Sequence, residues 1–328
     1  MKQHMYDVKT VGQWIQNGER LVLAGDEKVL NQLPPGSWIG GTIPYFMTVN
    51  GGLFSQEKIY VTQMPDSATD VKVKTYTADT IDQVYLDAPP NGFSIIILPA
   101  FSKVHAAFAL NSPSFEGFAT SPLVGWISGV SLDEVGQAAP KTYAGNGSSR
   151  AEQAVVCHIE LPPTKAADVQ IINIFQQGDG DTITFASDGF SAEEACVNGQ
   201  PVNFASYIQQ NGIDTRLPLV ANLHGAMINT SFQQVDLNAK KVDFYAPVFA
   251  GIEYRVARPV DNYVNSFQMM VPTDLGKTIY FSCNCILNYL YADLEGKQLL
   301  GITGPITFGE VAYQLLNQTM AYVVIEDI

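Results

Sequence analysis

Ser282, Cys283 and Asn284 are the residues best placed for chemistry in this sequence, because they stand between an apolar run and an amphipathic one. The run 279–281 predicts a strand, and the apolar spacing of 286–294 predicts a helix that starts just after them. The free backbone amides and positive dipole end of a helix start suit a carboxylate or phosphate on a small ligand. The same position would lower a thiol pKa and make a cysteine of this segment a nucleophile; the alternative is a buried, inert cysteine.

Glu310 is a second candidate, with two interpretations that do not exclude each other. In Thr307-Phe-Gly-Glu310 the spacing matches a capping box, in which Thr307 caps a helix and Glu310 reaches back to the amide of the capping residue. The apolar residues from 308 to 316 have the spacing of the helix that this box would open. The second interpretation is that the carboxylate binds a ligand.

Gly40, Gly41 and Thr42 end a predicted strand in what we interpret as a turn. Glycines at a turn let the backbone approach a ligand closely. We expect this turn to face the helix start at 282–284 across a pocket for a small anion, bound by backbone groups without any basic residue. The alternative is that the two segments pack against each other in the core.

Asn222 and His224 lie in a further predicted turn, before the predicted strand 228–235. Loops on a rigid scaffold are where binding groups concentrate, so we include both residues among the ligand-binding candidates. A loop histidine could serve as an axial haem ligand. The alternative for His224 is a turn histidine that hydrogen-bonds to the backbone.

The composition narrows the class of protein. The chain has 328 residues, 46% of them apolar and 15% charged, so it can bury a sizeable core in one large domain or two ordinary ones. The net charge of −14 disfavours nucleic acid and anionic membranes as partners. The N-terminus lacks the apolar core of a secretory signal, and no apolar stretch reaches membrane-helix length, so we expect a cytoplasmic protein.

The cysteine and histidine spacings predict no metal site. Four cysteines have no Cys-x-x-Cys spacing and four histidines have no paired spacing, so reduced thiols are expected. The common nucleotide, zinc-protease and hydrolase motifs are absent from the sequence. The sequence therefore assigns no catalytic residue and no cofactor, and it leaves open whether the protein is an enzyme.

Strand-like runs alternate with short helical segments at both ends of the chain. Residues 21–24 and 93–98 predict strands, each followed by a capped helix with Asp26 or Ser102 as N-cap. The middle of the chain is rich in strands, with Asn198-Gly199 as a hairpin turn. We expect a strand–helix–helix–strand ending. The fold class is α/β (α+β), with twisted mixed sheets flanked by helices.

An internal comparison indicates a duplication. Shifting the chain by 262 positions without gaps matches five residues of the first half to identical ones near the C-terminus. These matches are Phe46 to Phe308, Leu53 to Leu315, Gln56 to Gln318, Tyr60 to Tyr322 and Val61 to Val323. We therefore expect two related halves.

Several segments resemble the FIST family. The segments 21–30 and 39–42 are similar to its opening strand–helix–strand, 188–190 with 197–199 to its middle, and 279–326 to its C-terminal half. The resemblance implies an N-terminal extension over 1–20, a FIST N-terminal-like half over 21–220 and a C-terminal-like half over 221–328.

The resemblance also implies a function. FIST domains are intracellular sensory modules, so the expectation is a module that binds a small, anionic metabolite and signals through a separate protein partner. Three alternatives stay open: an enzyme that uses a cysteine or carboxylate in a cleft between the halves, a haem-binding sensor, and a structural or protein-interaction scaffold. The sequence identifies neither the ligand, nor the partner, nor the oligomeric state.

Overall fold

The same order of strand pairing recurs three times along the chain. The structure, a computed structural model, describes residues 3–145, 147–223, 225–271, 279–299 and 302–328. The expected α+β class with mixed sheets is confirmed. The chain forms two compact units. The first comprises Met1–Ile172, Val271–Leu315 and Met320–Ile328, and the second comprises Asn173–Met270 and Leu316–Thr319.

The first repeat forms around a fully buried strand. Its elements are β1 (Gln3–Tyr6), α1 (Val8–Gln16), β2 (Leu21–Gly25), α2 (Glu27–Leu30), β3 (Trp38–Thr42), β4 (Tyr45–Thr48), β5 (Gly51–Phe54) and β6 (Ile59–Gln63). Strand β2 pairs parallel with β3 and antiparallel with β6, and β1 pairs antiparallel with β6. Val11 and Ile15 of α1 are buried in the same core, so the expected N-terminal extension is part of the fold.

The second repeat has the same pairing. Its elements are β7 (Asp70–Tyr76), β8 (Gly92–Pro99), α3 (Lys103–Asn111), β9 (Leu123–Ser128), β10 (Thr142–Tyr143), β11 (Ser149–Arg150) and β12 (Ala154–Glu160). Strand β8 pairs parallel with β9 and antiparallel with β12, and β7 pairs antiparallel with β12. Ser102 caps α3 by accepting a hydrogen bond from the His105 amide, as the sequence predicts.

The third repeat begins with β13 (Lys165–Ile172), after which the chain leaves for the second unit. That unit contains β14 (Ile183–Thr184), β15 (Gly189–Ala192), β16 (Glu194–Val197), β17 (Gln200–Asn203), α4 (Phe204–Gln210), β18 (Leu219–Leu223), β19 (Ala226–Thr230), β20 (Phe232–Asp236), β21 (Lys241–Val248), β22 (Tyr254–Val256) and α5 (Tyr263–Met270). Its strands pair antiparallel, and Asn198-Gly199 joins β16 to β17 as predicted.

The rest of the third repeat returns to the first unit. Its elements are β23 (Ile279–Cys285), α6 (Ile286–Tyr291), β24 (Gly304–Thr307), β25 (Glu310–Ala312), β26 (Gln314–Leu316) and β27 (Met320–Asp327). Strand β23 pairs parallel with β24 and antiparallel with β27, and β13 pairs antiparallel with β27. This last pairing joins residues 165–172 to the last strand, so the boundaries of the compact units differ from those of the two halves that the FIST resemblance implies. The FIST-like halves stay a prediction.

Each repeat gives a hairpin to another repeat. Hairpin β4–β5 of the first repeat extends the sheet of the third, β10–β11 of the second extends that of the first, and β25–β26 of the third extends that of the second. The result is three six-stranded sheets with one common order, in a closed cycle of exchange. The shift of 262 matches β5 and β6 to β26 and β27, which are equivalent strands. The duplication is thus part of a threefold repeat.

Two local predictions are wrong. The segment after Thr307 forms strands β25 and β26 instead of a capped helix, because Glu310 pairs opposite Trp126 of the second repeat. Gly40, Gly41 and Thr42 lie within β3 instead of a turn, and both glycines are buried. The ending is therefore strand–helix followed by four strands, whereas the helix after Ser282–Asn284 is present as α6.

Candidate functional site

The carboxyl ends of the parallel strands come together in the first unit. Thr42, Ser128 and Thr307 are equivalent, because they stand opposite the last residues of β2, β8 and β23. All three are buried. The Gly129 amide donates to the Thr42 carbonyl at 2.7 Å, which joins the strand ends of the first two repeats. Ligands of α/β sheets bind outside the carboxyl ends of strands, so this edge is the candidate site.

A cavity of about 220 Å³ opens beside Thr42 and is called the Thr42 cavity below. It is lined by Asp26, Glu27, Lys28, Asn31, Thr42, Ile43, Pro44, Gly129, Val130, Glu134 and Ala138. The lining residues from the strand ends, such as Ile43 and Val130, are buried and apolar. The charged residues come from the start of α2 and from the loop after β9. The cavity therefore has an apolar floor and a charged rim.

Most polar groups on the α2 side of the cavity are paired. Asp26 is only 7% exposed, and its carboxylate accepts hydrogen bonds from the Lys28 amide at 2.9 Å and from Gln56 Nε2 at 3.0 Å. Glu27 forms an ion pair with Lys141. Asn31 accepts a hydrogen bond from the Tyr143 hydroxyl at 2.8 Å. Burial, followed by the nearby Glu27 carboxylate, raises the pKa of Tyr143, so its hydroxyl stays a donor.

Aromatic rings occupy the corresponding places in the other two repeats. Phe308 packs directly on Gly129, where an added Cβ would lie 2.4 Å from the ring, and Phe101 meets the same ring edge-on with centroids 6.2 Å apart. At the junction of the third and first repeats, Tyr289 and Tyr45 meet with centroids 5.8 Å apart. The equivalent place beside Thr42 is open. The described residues that line the cavity there include no aromatic ring, which distinguishes this place from the other two.

The central strand of the third repeat is polar where its counterparts are apolar. Ser282, Cys283 and Asn284 are equivalent to Val22, Leu23 and Ala24 in the first repeat and to Ile96, Ile97 and Leu98 in the second. Glu310 is likewise equivalent to Phe46 and Tyr143. Each of these three residues pairs with a residue two positions before the end of the neighbouring strand, β9, β24 or β3. The residues singled out in the sequence therefore depart from the repeat.

This polar group is buried. Cys283 and Glu310 are close enough to interact electrostatically, and the Cys283 thiol donates to the Gly125 carbonyl at 3.1 Å. Burial, and then the Glu310 carboxylate, raises the pKa of Cys283 well above its usual value. A thiol held protonated in this way is a poor nucleophile. Nearby, the buried Trp126 Nε1 and Ser128 Oγ have no hydrogen-bond partner among the residues that the structure describes.

Ser282 and Asn284 line a separate cavity of about 10 Å³, the space of one water molecule. The Ser282 hydroxyl donates to the Thr303 carbonyl at 2.7 Å, and Asn284 Oδ1 accepts from the Cys285 amide at 2.8 Å and from Asn288 Nδ2 at 2.9 Å. Thr42 lines the larger cavity instead. The two segments that were expected to face one another across a pocket therefore line different cavities.

Gly40 and Gly41 have a packing role. A Cβ on Gly41 would lie 2.5 Å from Ile97 Cγ2 and 3.1 Å from Trp126 Nε1. The glycines thus allow close approach between sheets. Asn222 belongs to the second unit, where its side chain accepts from the Gly225 amide at 2.8 Å in the predicted turn, and His224 lies outside the described residues. In the parts of the chain that the structure describes, no cluster of metal-binding side chains occurs.

A hydrogen-bonded chain in the second repeat was missed by the sequence analysis. Ser94 Oγ lies 2.8 Å from His158 Nδ1, and His158 Nε2 lies 2.9 Å from the Tyr76 hydroxyl, which donates to Asp87 at 2.8 Å. Lys74 completes the chain through an ion pair with Asp87. The sequence signal for this chain is a single polar residue within an apolar run, Ser94 in β8 and His158 in β12. Ser94 is only 1% exposed, so it is not accessible to a substrate in this conformation.

Comparison with protein families finds one match across nearly the whole chain. The model of DUF6976, a family of unknown function, matches residues 6–326. The curated proteins contain no match. The resemblance to FIST domains stays a prediction. Across the described ranges, no helix is both long and apolar enough to cross a membrane.

Proposed function

Since the chain belongs to DUF6976, a family of unknown function, we propose a role from its own site: it is a binding module for a small metabolite, held in the Thr42 cavity. The observation that carries this proposal is the contrast between equivalent places in the three repeats. Rings fill two of them, at Phe308 and at Tyr289, and the third is open. Where equivalent places hold aromatic rings in two repeats and charged residues in the third, packing has been given up in the third, which is typical of a binding site.

The charges that line the cavity do not favour the anionic ligand that the sequence predicts. Asp26, Glu27 and Glu134 contribute three carboxylates and Lys28 one ammonium group to the lining. A ligand with only negative charge would be repelled, and the anion site expected at 40–42 and 282–284 has no common cavity. We therefore propose a ligand that is neutral or carries a positive group.

Signalling through a separate protein partner and a cytoplasmic location remain part of the proposal, because segments of the chain resemble FIST domains. Enzymatic use of a cysteine is less well supported, because Cys283 is buried and its pKa is raised. The haem alternative rests on His224, which lies outside the described residues.

Blocking the cavity tests the proposal. Ala138 lines the cavity at a half-buried position, whereas its neighbour Ala139 is exposed and does not line it. A thermal-shift screen of metabolites should find compounds that stabilise the protein, by about 2.7 kcal/mol at a hundred times their dissociation constant. Ala138→Phe should abolish that shift, and Ala139→Phe should preserve it. A compound that shifts both variants equally binds outside the cavity. If every compound found in the screen behaves in this way, the proposal is rejected.

A further inference from the structure

The charged residues that line the Thr42 cavity differ in whether their side chains are paired. Glu27 is neutralised by Lys141, and both oxygens of Asp26 accept hydrogen bonds. The side chains of Lys28 and Glu134, by contrast, have no hydrogen-bond or ion-pair partner among the residues that the structure describes. Within the described part of the chain, Lys28 and Glu134 therefore place an unpaired cation and an unpaired anion at the same cavity.

The two free charges come from different repeats. Lys28 belongs to α2 of the first repeat, and Glu134 to the loop that follows β9 of the second repeat. They do not form an ion pair with each other. A ligand can complement both only if it carries a negative and a positive group. A ligand with one charge would satisfy one residue and face a like charge at the other.

The floor of the cavity sets the rest of the ligand. Ile43 is fully buried, Val130 is 8% exposed, and Pro44 and Gly129 add further apolar surface. Polar groups on this part of a ligand would be desolvated without partners. An aliphatic group matches this floor, and each methylene that it buries stabilises the complex by removing apolar surface from water.

We infer that the Thr42 cavity binds a zwitterionic α-amino acid with an aliphatic side chain, its ammonium group at Glu134, its carboxylate at Lys28 and its side chain on the floor formed by Ile43 and Val130. This inference rests on the proposed function, because it names the ligand class of the same cavity. It assigns recognition of the two charges to Lys28 of the first repeat and Glu134 of the second.

Calorimetric titration of the full chain tests the inference with three probes of similar size. L-Leucine carries both charges, 3-methylbutylamine only the ammonium group, and 4-methylpentanoate only the carboxylate. Leucine should bind at least tenfold more tightly than either analogue, because each analogue lacks one charge pair. Valine and methionine serve as further zwitterions that differ only in the apolar part.

Charge-removing variants test the orientation. Glu134→Gln should weaken leucine binding at least tenfold and leave 4-methylpentanoate unchanged or slightly tighter, whereas Lys28→Met should weaken leucine and leave 3-methylbutylamine unchanged or tighter. Exposed residues of the same types outside the lining, in Lys103→Met and Glu116→Gln, provide matched controls that should bind like the wild type. A change in net charge alone would not weaken the binding of neutral leucine in both variants, so this pattern distinguishes direct contacts from a general electrostatic effect.

The outcomes separate the inference from the proposed function. Equal binding of leucine and its analogues, or binding that neither variant changes, overturns the inference. If none of the three zwitterions binds while another compound binds in a manner abolished by Ala138→Phe, the amino-acid assignment is wrong and the binding function stands. If no compound responds to Ala138→Phe, both fail.

Discussion

Gly41 shows how closely single residues of different repeats approach one another. Its missing Cβ would meet Ile97, Trp126 and Ser128 of the second repeat, two of them closer than 3.2 Å. Gly41→Val should therefore lower the free energy of unfolding by about 1–3 kcal/mol, since the added methyl groups overpack a rigid core. Urea denaturation measures the change.

Gly12 provides a control of opposite sign. It lies in the middle of α1, and an added Cβ would only touch Pro34 at 3.6 Å. Gly12→Ala should raise the free energy of unfolding by about 0.5–1 kcal/mol, because alanine loses less backbone freedom in a helix. If Gly41→Val were as stable as the wild type, the close approach at this position would be wrong.

His105 and His158 make stability depend on pH. Burial lowers the pKa of each to about 4, from an ordinary value near 6.5. Below about pH 6.5 the unfolded chain binds protons at these rings and the native chain does not. The free energy of unfolding should therefore fall from pH 6.5 towards pH 4, with a slope of at most about 1.4 kcal/mol per pH unit for each histidine, and these contributions become constant below pH 4.

Comparison of urea midpoints at pH 7.5, 6.5 and 5.5 isolates the histidines, because most carboxylates stay ionised over this range. His158→Gln should reduce the dependence on pH and also lower stability at pH 7.5, since Ser94 and Tyr76 lose their ring partner. The three groups that bear on this ring by charge are Asp87, Lys74 and Lys72. An undiminished slope in the variant would show that His158 is protonated in the folded state.

At the scale of elements, helix starts are fixed by local hydrogen bonds. Ser102 Oγ accepts from the His105 amide at 3.1 Å and donates to the Pro99 carbonyl at 2.6 Å. Ser102→Ala should cost about 1 kcal/mol of stability, in the range known for lost N-caps. Ser102→Thr should keep most of it, because threonine retains the capping oxygen. If alanine and threonine destabilise equally, retaining the capping oxygen does not preserve stability, and capping does not explain the loss.

The elements that the sequence predicted correctly are those with local determinants. Strand β2 is an uninterrupted apolar run, and β8 is an apolar run interrupted only by Ser94. Each is followed by a capping residue, Asp26 or Ser102, and both signals lie within a few residues. The segment from Phe308 to Leu316 also follows a capping pattern, from Thr307 to Glu310, but its apolar spacing fits one helix or two short strands. Its pairing with β9 decides between them, and that partner lies in another repeat. Tertiary pairing thus overrides local propensity.

The candidate site was predictable only in part, for the same reason. Thr42 was found because it ends an apolar strand, yet Glu134 and Ala138 stand far along the chain and carry no motif. What joins these residues is the exchange of hairpin β10–β11 onto β3. The second repeat gave no sign of itself because it shares pairing, and not residue identity, with the other two.

On the scale of the whole first unit, the closed exchange of hairpins predicts one cooperative unfolding transition. Each sheet contains strands of two repeats, so no repeat can unfold without removing a hairpin from another. Val61, Val155 and Val323 are fully buried valines, one in the last strand of each repeat. Substituting each in turn by alanine should cost about 2 kcal/mol and lower the same transition, as measured by urea unfolding and by exchange of amides in all three repeats. A variant in which only its own repeat exchanges faster would show that the repeats unfold independently, and the cooperative link through the hairpins would then be wrong.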